Sequence, residues 1–107
     1  MDGKEPFQEV EIEIIDIEEY VKLNHPVPKG KKYRIRVDKI QYVVHTHEMT
    51  GRQILELAGK IPVNQFRLYQ KLKHGKPVVI GYDEVVDFTA PGVERFLTLP
   101  LDQTEGA

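Results

Sequence analysis

The sequence predicts an α+β domain in which one mixed β-sheet is crossed by a single helix, with an acidic extension at its N-terminal side. Three observations predict it. Residues 32–46 alternate apolar and polar side chains on either side of a two-residue turn, Asp38-Lys39, as an antiparallel hairpin does. Residues 50–59 open with a capping pattern and close on glycine around one apolar stripe, as a short amphipathic helix does. Residues 65–99 then supply three further strand-like runs separated by turn residues.

Taken in order, residues 1–7 carry no periodic pattern and read as a tail. Val10, Ile12 and Ile14 alternate with Glu9, Glu11 and Glu13, the period of a strand. Ile14, Ile17 and Val21 are three and four apart, so a short helix is expected over Asp16–Leu23; where strand gives way to helix stays open. Asn24–Gly30 holds two prolines and a glycine and reads as a linker. In Lys32–Val37, Tyr33, Ile35 and Val37 share one face and Arg34 and Arg36 the other. In Ile40–Thr46, Ile40, Tyr42 and Val44 oppose Gln41, Val43 and His45. Thr50 and Gln53 have capping-box spacing, the helix is expected over Gly51–Ala58, and Gly59 ends it. Its buried stripe is Ile54, Leu57 and Ala58, with Leu55 at the edge.

Gln65–Leu72 is the third strand, with Phe66 and Leu68 opposite Arg67, Tyr69 and Lys71. Val78–Ile80 is a short strand, Tyr82–Thr89 is irregular or one helical turn, and Val93–Leu99 is the last strand, stopped by Pro100. In it Leu97 and Leu99 are expected beneath the helix, which puts Phe96 and Thr98 on the open face. The order from residue 31 is strand, strand, helix, strand, short strand, strand. In so short a span the helix must cross the sheet and the first and last strands become central neighbours, the β-grasp arrangement. The expected organisation is an extension and linker over 1–30, the domain over 31–100 and a polar tail over 101–107.

Composition limits the function classes. The 107 residues suffice for one domain, and 40% hydrophobic with 30% charged residues is the balance of a globular chain. No apolar run is long enough to cross a bilayer, and the acidic N-terminus has no signal core, so a cytoplasmic protein without membrane contact is expected. Cysteine is absent, which removes disulfides, thiolate metal sites and cysteine nucleophiles. The net charge of −2 hides segregation: residues 1–20 carry eight acids against Lys4, residues 21–76 thirteen Lys and Arg against three acids, and residues 77–107 six acids against Arg95. The blocks either compensate each other within one fold or leave a basic face for an acidic protein partner. Nucleic acid is disfavoured, because the basic stretch has no stacking-aromatic signature. No phosphate loop and no carboxylate pair around a cleft is visible, so no enzymatic activity and no cofactor is expected.

Four segments carry a family resemblance: Tyr33-Arg-Ile-Arg-Val-Asp38, Thr50-Gly-Arg-Gln-Ile-Leu-Glu-Leu-Ala-Gly59, Phe66-Arg-Leu-Tyr-Gln-Lys71 and Val85-Val-Asp-Phe-Thr-Ala-Pro-Gly-Val-Glu-Arg-Phe-Leu-Thr-Leu-Pro100. Together they resemble the bacterial multiubiquitin domain, over about residues 31–102, and the last block is the most specific. The resemblance implies a ubiquitin-like protein modifier. It implies as partners an activating enzyme, a conjugating enzyme, a zinc metallopeptidase of the JAB type and target proteins. Many members carry several copies of the domain, and one is visible here. A modifier of this kind is activated at its terminal carboxylate, and glycine suits the narrow channel that admits it. Gly106 is the tail glycine and Ala107 covers it, so removal of Ala107 followed by conjugation through Gly106 is expected. The diglycine of ubiquitin is missing: Glu105 stands where the second glycine would be.

Because ubiquitin is read by partners on the outer face of its sheet, the candidate partner-binding residues are Arg67, Tyr69, Lys71, Phe96 and Thr98. The acidic extension could fold over that basic face. A non-covalent module that recruits partner enzymes is the alternative to a modifier. His45 and His47 share a strand face with Glu48 adjacent, too few ligands to specify a metal. Nine lysines from Lys22 to Lys76 are equivalent as acceptors at this level.

Overall fold

A computed structural model describes residues 14–101. Its first pieces are β1 (Ile15–Asp16) and α1 (Ile17–Lys22). The hairpin follows as β2 (Tyr33–Val37) and β3 (Ile40–Val44). All five residues of each pair, Tyr33 with Val44 through Val37 with Ile40. Asp38 and Lys39 turn the chain with φ of 51° and 73°, the two successive positive angles that suit the twist of a two-residue hairpin.

β4 (Glu48–Thr50) leads into α2 (Gly51–Leu57) through the capping box: Thr50 Oγ1 accepts from the Gln53 amide at 3.1 Å, and Gln53 Oε1 accepts from the Thr50 amide at 2.9 Å. The start of α2 lies against a loop, its first two amides donating to Glu84 and Tyr82 carbonyls. Gly51 is required there, because a Cβ would collide with the Gly81 carbonyl. After a 3-10 turn at Val63–Gln65 come β5 (Phe66–Leu72), β6 (Val78–Ile80), β7 (Val85–Asp87) and β8 (Val93–Pro100).

The main sheet runs β3-β2-β8-β5-β6, with β2 and β8 parallel and the other neighbours antiparallel. That order, with α2 across one face, is a β-grasp fold. Ile54 and Leu55 of α2 are fully buried with Ile35, Leu68 and Phe96, while Leu57 and Ala58 pack at the margin. β4 and β7 form a separate two-stranded ribbon, where an irregular stretch was expected over Tyr82–Thr89. The ribbon delivers Phe88, fully buried, whose ring meets Phe96 edge-on at 6.1 Å and Tyr33 at 6.3 Å.

Two expectations need correction. Residues 14–30 were read as part of an extension ahead of the domain, yet Ile15, Ile17, Val21 and Val27 belong to its core. Since β3 occupies one edge of β2, β1 and β8 share the other: β1 beside Tyr33 and Arg34, β8 beside Val37. The lead-in segment is therefore lodged between the two central strands. The second correction concerns β8. Leu72 pairs with Val93 and Lys71 with Arg95, so Glu94 is the extra residue of a β-bulge. The bulge reverses the alternation, so that Val93 and Phe96 both face the core while Leu97 and Leu99 face outward.

Candidate functional site

The outer face of the sheet, opposite α2, divides into a charged half and an apolar half. Arg34 and Arg36 occupy alternate outward positions on β2, and Lys71 and Arg95 pair across β5 and β8. Onto them β1 and α1 bring Asp16 and Glu18, both buried, beside the buried Glu94 of the bulge. Arg36 holds Asp16 with two hydrogen bonds, at 2.6 and 2.9 Å, and Arg34 adds a contact at 3.6 Å. Glu18 meets Lys22 at 2.8 Å, Arg36 at 3.6 Å and Arg95 at 3.9 Å. Glu94 receives a hydrogen bond from Lys71 at 3.3 Å.

Burial alone would raise the pKa of Asp16, but the hydrogen bonds and charge of Arg36, with Arg34 beyond, outweigh it and hold the carboxyl below its ordinary 3.8. The same pairing raises Arg36. At this half of the face, the acidic and basic blocks of the sequence compensate each other inside the fold. Lys73 anchors the far end of the lead-in helix: its ammonium donates to the Val21 and Lys22 carbonyls, each at 3.2 Å, and to Asn24 Oδ1 at 2.7 Å.

The other half is apolar. Val79 of β6 pairs with Tyr69 of β5, which pairs with Leu97 of β8, and Leu99 lies two residues on, opposite Arg67. These side chains form an apolar strip over three adjacent strands. Asp38, Tyr69, Lys76, Pro77, Leu97, Thr98 and Leu99 line a shallow groove along it. Val79 and Leu99 are about half exposed, at 49% and 54%, on either side of β5. Arg67 and Lys76, both exposed, stand at the rim with no ion pair among the described residues, unlike Arg34, Arg36, Lys71 and Arg95.

The structure thus brings Arg67, Tyr69 and Lys71 onto the outer face, where alternation put them. It does not place Phe96 there. Phe96 is fully buried, and its expected surface role is withdrawn because the Glu94 bulge turns it into the core. Thr98 is half-buried and committed to Asp38: its amide donates to Asp38 Oδ1 at 2.8 Å and its hydroxyl to Asp38 Oδ2. Together with the Asp38 amide, which donates to the Phe96 carbonyl at 3.0 Å, this clasp fastens the hairpin turn to β8. Sequence reasoning missed Val79, Leu97 and Leu99; their signal is the outer-face pairing with Tyr69, which only the register reveals.

His45 is exposed and His47 half-buried, and among the described residues no three His, Asp or Glu side chains are placed to hold a metal ion. No helix among them is long and apolar enough to cross a membrane. Gly106 and Ala107 lie outside the described residues. The last described residue, Leu101, donates its amide to the Gln65 carbonyl at 2.8 Å, so the chain leaves the sheet beside Phe66 and Leu99.

Fold and face together define a ubiquitin-like protein: a β-grasp sheet with an apolar outer patch at the end of its last strand. The multiubiquitin family model matches residues 33–100, most of the described chain, and the protein belongs to that family. No match was found among curated proteins or among solved structures.

Proposed function

We propose that this chain is a protein modifier, conjugated through Gly106 after a JAB-type peptidase has removed Ala107, and that it acts in the cytoplasm without catalysing a step itself. The observation that carries the reading is family membership over 33–100, joined to the position of the apolar patch beside the point where the chain runs on toward Gly106. An activating enzyme would take the exposed Gly106 carboxylate onto the α-phosphorus of ATP, releasing pyrophosphate. A thiol would then displace AMP to give the thioester that is passed to a conjugating enzyme and a target amine. Nothing in that sequence requires a catalytic group from the modifier. What it must supply is a docking face and a slender tail, and Tyr69, Leu97 and Leu99 with Arg67 at the rim would serve as the face.

Incubation with the activating enzyme, ATP and the peptidase tests this. Intact mass should show loss of one alanine, and the shortened chain should form a reducible adduct on the activating enzyme. Deleting Gly106 and Ala107 should abolish the adduct while the chain still folds. A chain that keeps Ala107 and forms no adduct, but binds the same enzymes equally well with and without its tail, is instead the non-covalent recruiting module.

A further inference from the structure

We infer that the apolar groove on the outer face is a docking site for an acidic, aliphatic-alternating strand, and that its occupant is the Glu9–Ile14 segment of a second copy of this chain. The groove floor is Tyr69, Leu97 and Leu99, continued by Val79, and its rim carries Arg67 and Lys76. Those two are the outer-face cations that no carboxylate of the described residues answers, whereas Asp16, Glu18 and Glu94 neutralise the others. The sequence Glu9-Val-Glu-Ile-Glu-Ile14 is the complement. In an extended chain Val10, Ile12 and Ile14 project from one side about 7 Å apart, the spacing that Leu97 and Leu99 have along β8. Glu9, Glu11 and Glu13 project from the other side. Arg67 and Lys76 have stems long enough to cover apolar surface while their charges reach such carboxylates.

Ile14, the described end of that segment, lies away from the groove of its own chain. Ile14 adjoins Ile15, which pairs with Tyr33, while Leu97 follows Phe96, the partner of Val37. Four residues of strand rise separate the two levels, roughly 13 Å. The intervening surface is held by α1 through its contacts to Arg95 and, through Glu94, to Lys71. A second copy has neither restriction. Reciprocal exchange of the two segments closes a two-fold dimer, with each groove filled once. The pairing does not depend on conjugation, but it covers the face that the modifier reading assigns to the enzymes.

The test uses the full chain in sedimentation analysis at rising concentration. The apparent mass should climb toward twice the monomer, less so when salt rises from about 50 to about 500 mM, because exposed charges are screened at that strength. Two charge reversals, Glu9→Lys with Glu11→Lys in one chain and Arg67→Glu with Lys76→Glu in another, should each weaken self-association at least about tenfold. Mixing the two variants should restore a dimer of one copy of each, since both segment–groove pairs are then complementary. A monomeric natural chain, or reversals that leave the association unchanged, overturns the proposal. So does a concentration-independent change in the Tyr69 NMR signals on reversal of Glu9 and Glu11 in a chain that stays monomeric, because that puts the segment on its own groove.

Discussion

Asp38 has two tasks at once. As the first residue of the hairpin turn it adopts a positive φ, which aspartate tolerates better than most side chains. Its carboxylate then binds the amide and hydroxyl of Thr98, which carries the contact between β2 and β8 past the Val37–Phe96 pair. Thr98→Val keeps the shape and the backbone bond but removes the hydroxyl, and should destabilise the domain by about 1–2 kcal/mol in a denaturant titration. Asp16 makes a pH-sensitive contact. Its carboxyl is held below 3.8 in the folded chain, so the pairing with Arg36 contributes in full above that value. The contribution is lost as the pH falls below 3.8 and the carboxyl takes up a proton. Thermal melting across pH 5 to about 2 should show a decline in that window, and Asp16→Asn should flatten it. At this scale the sequence was legible where chemistry is local. The capping role of Thr50 and Gln53 and the turn at Asp38-Lys39 follow from neighbours within three positions. The partners of Asp16 and Asp38, twenty and sixty residues away, do not.

Among the elements, α1 contributes more than its six residues suggest. It has no side-chain cap at Asp16, and isolated helices of that length do not persist in water. Packing and Lys73 stabilise it instead: Ile17 and Val21 are buried in the common core, and the ammonium closes its last carbonyls. Ile17→Ala should therefore cost about 2–5 kcal/mol, and removal of residues 1–24 should leave a chain without a cooperative melt. Periodicity indicated the helix, since Ile17 and Val21 are four apart, but not its lodging place. The β8 strand shows the opposite failure. Positions 93, 97 and 99 are apolar and 94 and 98 polar, so strict alternation buries the wrong set; one bulged residue, Glu94, exchanges Leu97 for Phe96. The β4–β7 ribbon was also invisible, because three-residue strands far apart in sequence carry too little pattern to declare a pairing. Gly51→Ala tests the junction of ribbon and helix. Although alanine favours helix, its Cβ would displace the Gly81 carbonyl, so a net loss of about 1–3 kcal/mol is expected by calorimetry.

For the molecule as a whole, topology was the most legible property, because the order of strands and helix leaves few ways to bury one apolar stripe on one sheet. The candidate site was legible in part. Arg67, Tyr69 and Lys71 reached the outer face as alternation required, and Phe96 and Thr98 did not. The resulting face is two-toned, with ion pairs at one end and an apolar groove at the other. Leu97→Asp should keep the melting temperature within a few degrees, since the side chain faces outward, while weakening both enzyme engagement and self-association; Phe96→Ala should unfold the domain instead. A pair of melting and binding curves for the two neighbours separates surface from interior.

The lodging of β1 and α1 between the first and last long strands gives the fold a mechanical direction. An unfolding motor that seizes the chain ahead of residue 14 must first extract Ile15, Ile17 and Val21 from the core, and that extraction empties the space between β2 and β8 beside Tyr33 and Arg34. A motor that seizes the opposite end draws on β8, gripped by β5 along its whole length and by Asp38 at its middle. The first route takes the molecule apart at its keystone, and the second has to shear a ladder.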